Sequence, residues 1–573
     1  MKITVNDTLL ELHSGATVKD ALLSYYARSG RKLPGRLPTV EDRFGNIVAP
    51  DGALSEGNCL IIRSGRKRKT SAARSVIVLL ASAILFGCSS TRQTATSHSN
   101  EKPDVTAVAP PSGIAASPER QAVIFSVNDM HAAIDNFPKL AWIVDSLRGV
   151  YPDLLLVAAG DNQTGNPVND QFPEKGFPVI DLMNAVGFNL SAVGNHEFDT
   201  GPEGFGNLIS KADFSFICAN VSGGGRHPLK IDPYKIITLP NGLKVAFLGL
   251  LQLGQNGIPD SHPDNVRDFV FRSPLRAAPE FLWLKDSSDV FIALTHIGFE
   301  EDVKLAETMP PGIDLIIGGH SHTRVDREQV HNGILITQAD SKLKFGTLIR
   351  LKVDAAGRVS SSMQLIDIRN SKKERPEIRA MVDRYNDNPV LNQVIATATD
   401  DFSSSEELGY LMADGQRAAA GADIALMNPG GVRIDRLPKG PVTIKNVYQL
   451  DPFGNELVVT KLTGSEIFSL LRAAWSADRK SPLFTSGITT ETRVNDHGEP
   501  EEITVHTDDG KPLDLNHVYS VAMNSYMTQV YRYEHADPGQ SLFLTTAQAL
   551  IGYLKQEGNI KSYRGEKRVR VTR

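Results

Sequence analysis

The sequence predicts an α/β fold, built from layered sheets that helices cover. From residue 121 onward, short apolar runs of strand length alternate with segments of helical pattern, which is typical of layered α/β or α+β domains. The chain has 573 residues, whereas single cores stop growing near roughly 250–300 residues, so we expect more than one large domain. The predicted strands of the first large domain are 122–127, 154–159, 190–193, 244–250, 290–294 and 314–317.

Composition and charge narrow the function classes. Hydrophobic residues make up 41% of the chain and charged residues 22%, as in ordinary globular proteins. The formal net charge of -5 gives no reason to expect a nucleic-acid polymer as a partner. The cysteines Cys59, Cys88 and Cys218 are too few and too scattered for a disulfide framework or a zinc knuckle. Any metal ligands must therefore be His, Asp or Asn.

Residues 1–65 read as a small separate module. Predicted strands at 3–5 and 9–12 are joined by a turn, a helix follows over 18–26, and a last strand lies at 60–62. This order resembles a ubiquitin-like β-grasp module, although the Gly-Gly tail of the carrier proteins of that group is absent.

Residues 66–88 have the pattern of an export signal. Four basic residues at 66–69 precede an apolar run at 76–87, which at about 12 residues is too short to span a bilayer comfortably. Leu85-Phe86-Gly87-Cys88 resembles a bacterial lipobox, and the resemblance implies a lipid on Cys88 that anchors the protein in the cell envelope. A Ser/Thr/Pro-rich tether follows at 89–120. A buried helix with a core cysteine is the alternative interpretation.

A signal in the middle of a chain leaves two alternatives open. Either the true start lies downstream of Met1, or a cytoplasmic module precedes an export segment. The next methionine after Met1 is Met130, so a later start would need a different codon. In both cases we expect the part beyond Cys88 to be periplasmic or on the cell surface.

Polar motifs directly follow five of the predicted strands. Ligand sites in layered sheets lie beyond the carboxyl ends of the strands, where loops bring side chains together. A single motif of this kind is usually an exposed polar loop without a functional role, but five of them, each after a strand, predict a shared site. The motifs are Asn128-Asp129-Met130-His131, Gly160-Asp161-Asn162, Gly194-Asn195-His196-Glu197-Phe198-Asp199, Thr295-His296 and Gly318-Gly319-His320-Ser321-His322-Thr323.

These five motifs resemble those of the binuclear metallophosphoesterases, and their full spelling is similar to the 5'-nucleotidase, UDP-sugar hydrolase and 2',3'-cyclic phosphodiesterase family. The resemblance implies a four-layer αββα sandwich over 121–370. It also implies two divalent ions, Zn or Mn first and Mg, Co or Ca as alternatives. The implied ligands are Asp129, His131 and His322 for the first ion, Asn195, His296 and His320 for the second, and Asp161 between them.

The implied chemistry is phosphate-ester hydrolysis. A bridging carboxylate would keep the ions roughly 3.5–4 Å apart, and a hydroxide shared between them would attack phosphorus in line. His196 would stabilise the transition state or protonate the leaving oxygen, and Asp199 would fix the tautomer of its ring.

Residues 371–390 are predicted to form a linker helix, and 391–573 a C-terminal α/β domain that binds the substrate. The segment 428–433 resembles the Asn-Gly-Gly-x-Ile-Arg block of the family's substrate domain, with Pro429 inserted. Residues 451–455 resemble its Pro-Phe-Gly-Asn turn. The resemblance implies that two aromatic rings sandwich the base and that an arginine holds phosphate. The implied substrate residues are Asn428, Gly430, Gly431, Arg433, Phe453, Asn455 and Tyr526.

The substrate domain also departs from the family pattern. The Gly-Gly-Asp-Gly-Tyr block, whose aspartate binds ribose hydroxyls, does not follow Tyr526, and residues 396–402 contain no arginine. The resemblance implies a nucleoside 5'-monophosphatase. Because the ribose-binding aspartate is missing, a cyclic nucleotide, a nucleotide-sugar or another phosphorylated metabolite stays open as an alternative substrate. A surface lipoprotein that binds nucleotides without turnover is the alternative from another class. The complete set of seven ligand positions and His196 favours the enzyme.

Overall fold

The computed structural model describes residues 1–12, 17–29, 34, 37–63, 120–223, 229–254, 257–261, 263–477 and 481–572. The predicted signal at 66–88, the lipidation site Cys88 and the tether up to 119 lie outside this part of the chain. Across the described residues, no helix combines the length and apolar character needed to cross a bilayer.

The N-terminal module is a mixed sheet with one helix against it. Val18, Ala21 and Leu22 lie on one face of the helix, as its spacing predicts, and pack with Ile3 and Val5 in a small apolar core. The strand order is β4-β3-β5-β1-β2, with β1 and β5 parallel. Its elements are β1 (Lys2–Val5), β2 (Thr8–Glu11), α1 (Val18–Arg28), β3 (Val40–Asp42), β4 (Ile47–Val48) and β5 (Cys59–Ile62).

The next part of the chain contains two six-stranded sheets. Its elements, in chain order, are β6 (Arg120–Val127), α2 (Phe137–Arg148), β7 (Leu155–Ala158), α3 (Pro167–Asp170), α4 (Phe177–Val186), β8 (Leu190–Ala192), α5 (Gly201–Lys211), β9 (Ser215–Ile217), β10 (Val221–Gly223), β11 (Tyr234–Thr238), β12 (Lys244–Leu251), α6 (Pro263–Val266), β13 (Phe269–Phe271), α7 (Pro274–Ala277), α8 (Leu284–Ser287), β14 (Val290–His296), α9 (Phe299–Thr308), β15 (Leu315–Ile317), β16 (Thr323–Arg324), β17 (Gln329–His331), β18 (Ile334–Thr337), β19 (Phe345–Val353) and β20 (Val359–Asp367).

The two sheets pack face to face with helices outside them. One has the order β20-β19-β6-β7-β8-β9 and the other β11-β12-β14-β15-β18-β17. Apolar side chains such as Val157 and Leu294 fill the space between the sheets. The central strands are covered on both faces, which explains why their sequences are continuous apolar runs. Phe137 and Phe205 belong to a second core on the outer face of the first sheet, and Phe299 to a third on that of the second sheet. The predicted α/β class with four layers is confirmed.

A linker helix and a second α/β part complete the chain. Ile378 and Val382 are buried on one face of the linker helix α10, as their helical spacing predicts. The remaining elements are α10 (Pro376–Asn386), β21 (Val394–Ala398), α11 (Ser405–Ala420), β22 (Ile424–Met427), β23 (Gly440–Thr443), α12 (Ile444–Leu450), β24 (Glu456–Thr463), α13 (Gly464–Ala477), β25 (Phe484–Ser486), β26 (Ile488–Val494), β27 (Pro500–Thr507), β28 (Val518–Asn524), α14 (Ser525–Val530), β29 (Gln540–Thr545), α15 (Thr546–Glu557), β30 (Asn559–Ile560) and β31 (Val569–Thr572).

Met1–Arg63 packs with the chain from Glu119 to Arg573 in one compact unit. The six strands predicted for the first large domain all form, each within two residues of its predicted bounds. The domain boundaries at 65, 88, 120, 370 and 390 stay predictions. Strands β3 and β4 of the module were not predicted, because they are only three and two residues long.

Candidate metal centre

The candidate site lies where neighbouring parallel strands end. Strands β6, β7 and β8 run parallel in one sheet, and β14 and β15 run parallel in the other. Because parallel strands end at the same edge of a sheet, their loops bring the five polar motifs together. Seven side chains from these loops meet here: Asp129, Asp161, Asn195, His296, His320 and His322 are buried, and His131 is partly buried.

Two groups of potential ligands meet at this edge. Asp129, His131 and His322 form one group, and Asp161, His296 and His320 form another, with the donor atoms of each group within 4.8 Å of one another. Asp161 also belongs to a third such group, with His131 and His196, so it lies between the other two. This matches the bridging position that the sequence predicts for Asp161.

In the first group, two ring nitrogens and a carboxylate oxygen lie close together. Nδ1 of His131 donates to the carbonyl oxygen of Thr164 at 3.0 Å, so its Nε2 carries the lone pair when the ring is neutral. That Nε2 lies 3.0 Å from Nε2 of His322, which is itself 3.3 Å from Oδ1 of Asp129. Two lone pairs and a carboxylate directed at one point repel each other unless a proton or a metal ion lies among them.

In the second group, His296 is held from behind and points at carboxylates. Its Nδ1 donates to the carbonyl oxygen of Ala159 at 2.7 Å, and its Nε2 lies 3.0 Å from Oδ2 of Asp161. Burial lowers the pKa of His296, but Asp161 and Asp129 outweigh this effect and raise it to about 9. Nδ1 of His320 lies 3.1 Å from Oδ1 of Asn195, which adds an amide oxygen to the group.

The donor set fits divalent metal ions. Imidazole nitrogen, carboxylate oxygen and amide oxygen are ligands for Zn²⁺, Mn²⁺ and related ions. The ring atom Nε2 of His320 is buried and makes no hydrogen bond within the described residues. A bound cation is the partner that such buried, directed groups lack.

The backbone around these ligands is strained in a way that the sequence does not reveal. Asp129, His131, Asp161, His320 and His322 all have positive φ angles, of 48°, 45°, 50°, 80° and 53°. Such conformations cost of order 1–3 kcal/mol each for residues other than glycine, and they cluster at functional sites. The loops therefore adopt unfavourable backbone conformations that direct these side chains toward one another.

Glu197 links two of the loops through hydrogen bonds, a role that the sequence analysis did not predict. Its buried carboxylate accepts from the backbone N–H groups of Asp161, Asn162 and Gly194 at 3.0, 2.8 and 2.7 Å. A Cβ on Gly194 would lie 2.2 Å from Oδ1 of Asp161, so only glycine permits this approach. The signal was present in the motif, because a buried glutamate needs partners.

His196 lies beside the ligands with Asp199 behind it. Nδ1 of His196 is 2.6 Å from Oδ2 of Asp199, which also accepts from Thr164 Oγ1 at 2.8 Å. The rings of His196 and His131 are 5.2 Å apart between centroids. Burial lowers the pKa of His196, but Asp199 and Asp161 outweigh this effect and raise it to about 9.

The predicted substrate residues line the same cavity as the metal ligands. The cavity has a volume of about 1650 Å³ and is bordered by His131, Asp161, His196 and all seven predicted substrate residues. The guanidinium carbon of Arg433 lies 5.1 Å from the centroid of the Phe453 ring, so these two side chains stack. Oδ1 of Asn428 accepts from Asn524 Nδ2 at 2.8 Å.

Sequence reasoning missed several cations around this cavity. Lys175, Lys342, Lys344 and Arg436 also line it. They carry no motif, and all four lie in loops. Lys342 and Lys344 form ion pairs with Asp51 and Asp340, each at 2.7 Å, so their charge is partly neutralised by the protein itself.

Two family models match the chain. Residues 123–324 match the model of the calcineurin-like phosphoesterases, and residues 390–530 match the model of the 5'-nucleotidase C-terminal domain. The resemblance that the motifs predicted is thereby confirmed.

Individual relatives agree with these models. The "Endonuclease YhcR" of Bacillus subtilis is 27% identical over 70% of this chain, and the "Trifunctional nucleotide phosphoesterase protein YfkN" of the same species is 26% identical over 78%. The chain spans only 37% and 34% of the length of these two relatives. A crystal structure of a 5'-nucleotidase precursor from Thermus thermophilus is similar with a TM-score of 0.65 and 26% identity, over 79% of this chain and 99% of that one.

Proposed function

We propose that this chain, which joins a calcineurin-like phosphoesterase domain to a 5'-nucleotidase C-terminal domain, hydrolyses nucleoside 5'-monophosphates to nucleoside and phosphate. The observation that carries the proposal is one cavity that holds both the candidate metal ligands with His196 and the candidate base-binding residues. A protein that only bound nucleotides would need neither the ligand cluster nor the His196–Asp199 pair.

The proposed ion ligands divide into two sets around Asp161. Asp129, His131 and His322 would hold one ion, and Asn195, His296 and His320 the other. Bound there, two divalent ions would lower the pKa of water and neutralise charge on the phosphoryl oxygens. Zn²⁺ and Mn²⁺ both accept this mixture of nitrogen and oxygen ligands.

We assign the leaving-group proton to His196. Because Nδ1 faces the carboxylate of Asp199, Nε2 is the nitrogen left to face the substrate. The carboxylate of Asp199 raises the pKa of this ring, which favours the protonated form that stabilises negative charge and donates a proton to the departing oxygen.

For the substrate end, we propose that Arg433 binds the phosphate and that Phe453, which stacks on Arg433 with one face, keeps its other face for the base. Arg433 is close enough to His196 to lower the pKa of that ring, although Asp199 and Asp161 outweigh it. Its planar fork suits a phosphate, and the Phe453 and Tyr526 rings suit a base. Asn428, Asn455 and the glycines 430 and 431 would contact the ligand edge.

A nucleotide-sugar is the second candidate substrate, because the cavity has room for a ligand larger than a mononucleotide. Ligand pockets usually have about 300–1,000 Å³, whereas this cavity has about 1650 Å³. A mononucleotide would leave part of that space filled with water.

For location, we propose export to the cell envelope with a lipid on Cys88. The support is the order of basic residues, apolar run and Leu85-Phe86-Gly87-Cys88 in the sequence.

The test uses the purified full chain with added Mn²⁺ or Zn²⁺. Phosphate release is measured from AMP, UMP, UDP-glucose, cyclic nucleotides and an aryl phosphate, for the wild type and for His196→Ala and Asp161→Asn. The exposed His517, in the substrate domain, gives the control variant His517→Ala. We expect metal-dependent release that both site variants lose and the control keeps. If the wild type hydrolysed only the aryl ester, the proposed nucleotide substrate would be wrong. If His196→Ala and Asp161→Asn kept their activity, the proposed mechanism would be wrong.

A further inference from the structure

The N-terminal module contacts the loop that carries two of the candidate ligands. Strand β4 of the module pairs with β16, the two-residue strand directly after His322, through Val48 and Thr323. Strand β16 is thus the edge strand of the module's sheet, in the order β16-β4-β3-β5-β1-β2. The ligand loop is therefore continuous with a sheet that belongs mostly to the module.

The module also holds the backbone of both ligands. Ala49 N–H donates to the carbonyl oxygen of His322 at 3.2 Å, and Ala53 N–H to that of His320 at 3.4 Å. Between them, a Cβ on Gly52 would lie 2.1 Å from the carbonyl oxygen of Ser321. The module thus approaches the loop so closely that position 52 accepts only glycine.

One carboxylate of the module reaches a candidate ligand side chain. Nδ1 of His322 lies 3.1 Å from Oδ1 of Asp51, while its Nε2 points to the first ligand group. Oδ2 of Asp51 is 2.7 Å from Nζ of Lys342, whose backbone N–H donates to the carbonyl oxygen of Asp129 at 2.7 Å. Asp51 is therefore fixed from both sides.

The module is anchored to the catalytic part at a second place. Arg43 forms an ion pair with Glu300, and the other oxygen of Glu300 accepts from Cys59 N–H at 3.0 Å. The Phe44 ring packs against those of Phe299 and His331, at 5.6 and 4.9 Å between centroids. These contacts make the position of Asp51 a property of the docked module and not of one flexible loop.

We infer that, in the chain that keeps residues 1–63, these residues are a working part of the metal centre, in which Asp51 is a positioning residue that fixes the ring of His322 for the first ion. The inference rests on the proposed role of His322 as a ligand. A carboxylate on the far nitrogen of a ligating histidine fixes its tautomer and orientation and increases its basicity, and losing such a partner typically costs about 10- to 100-fold in metal affinity.

The test measures metal binding by the full chain, separately from hydrolysis. Co²⁺ is titrated into the metal-free protein, its absorption spectrum is recorded, and the two dissociation constants are measured by competition with a chelator. The variants are Asp51→Ala, Asp51→Asn and Gly52→Ala. Asp7→Asn is the matched control, since Asp7 is an exposed carboxylate of the same module.

We expect Asp51→Ala to weaken one of the two ions about 10- to 100-fold and to change the Co²⁺ spectrum, with Asp51→Asn intermediate and Asp7→Asn unchanged. Gly52→Ala should resemble Asp51→Ala, because it displaces the module from Ser321. The melting temperatures of the metal-free forms of the Asp51 variants should stay close to that of wild type.

Wild-type affinities and spectra in Asp51→Ala would overturn the inference while leaving the proposed hydrolysis intact. Conversely, weakened binding in Asp51→Ala would support it even if the wild type released no phosphate from any nucleotide. The two proposals therefore fail separately.

Discussion

The carboxylate of Asp199 holds the imidazole of His196 from behind, with 2.6 Å between Oδ2 and Nδ1. The same carboxylate accepts from Thr164 Oγ1 at 2.8 Å and from Ser261 Oγ at 3.3 Å. Asp199 is thus fixed by neighbours from other loops, and the ring of His196 inherits that orientation. None of these three contacts is made by a candidate ligand itself, but the carbonyl oxygen of Thr164 also accepts from Nδ1 of the candidate ligand His131.

We expect His196→Ala to lower kcat by about 10²–10⁴-fold, the usual contribution of a general acid. Asp199→Asn should lower kcat less, by about 10- to 100-fold, because the ring stays but loses its orienting partner. Inductively coupled plasma mass spectrometry should find the wild-type metal content in both variants. If His196→Ala lost an ion as well, the residue would have to be reassigned as a ligand.

Removal of metal should inactivate and destabilise the protein. Chelation would remove positive charge that the side chains of Asp129, Asp161, His131 and His322 are placed to hold. A ligand at 100 times its Kd stabilises the folded state by about 2.7 kcal/mol, so calorimetry should show a clear fall in Tm on chelation and recovery with Mn²⁺ or Zn²⁺. His296→Ala should reduce this gain, whereas His517→Ala should not. Equal Tm values with and without metal would contradict the assigned centre.

Much of the centre could be predicted from the sequence because it is encoded locally. Each polar motif directly follows an apolar strand, and parallel strands place such motifs at one edge. Glu197 lay inside a motif, but its three backbone partners belong to two different loops. Its role in linking the two loops by hydrogen bonds could not be derived from the spacing of residues alone.

The contribution of the module could not be predicted, for a physical reason. Asp51 and His322 are 271 positions apart, and the strands that bring them together, β4 and β16, have two residues each. Strands this short have no alternation to recognise, and pairing across such a separation leaves no local pattern. The position of Lys342 and Lys344 at the cavity was not predicted for the same reason. The sequence around a single lysine does not show which residues it will lie beside.

Phe453 tests the substrate domain. Stacking on an aromatic ring is worth about 1–3 kcal/mol per base, so Phe453→Ala should raise KM for AMP by about 5- to 150-fold. Hydrolysis of an aryl phosphate should change little, because that substrate has no base. Since Arg433 stacks on the same ring, Arg433→Lys should weaken both substrates through the lost phosphate fork. An unchanged KM for every nucleotide tried in Phe453→Ala would remove this ring from the site.

Processing at Cys88 gives a prediction that links location to the metal centre. Cleavage before Cys88 would remove residues 1–87 from the mature chain, and with them Asp51. We therefore expect a lipidated chain that begins at Cys88 to bind the first ion about 10- to 100-fold more weakly than full-length Cys88→Ala. Intact mass spectrometry identifies the two forms, and chelator competition compares their affinities. Equal affinities would contradict the role inferred for Asp51 at the first ion.

Asp451 predicts how stability depends on pH outside the metal centre. Its side chain is buried beside Thr546, and burial raises its pKa from 3.8 to about 6, despite the hydrogen bond from Thr546. The folded state thus binds the proton more tightly than the unfolded state, so the contribution of this group is greatest below pH 4. It is lost as pH rises to about 6, which amounts to about 3 kcal/mol.

The substitution Asp451→Asn removes this titration while keeping an oxygen for Thr546. Relative to wild type, the variant should therefore gain about 3 kcal/mol of unfolding free energy between pH 4 and pH 7. Thr546→Val should show the opposite trend, with a steeper loss than wild type, because the hydrogen bond that favours the carboxylate is gone. Urea unfolding of the metal-free protein at several pH values measures both differences. Parallel stability curves for wild type and Asp451→Asn would mean that Asp451 is ionised in the folded protein throughout this range.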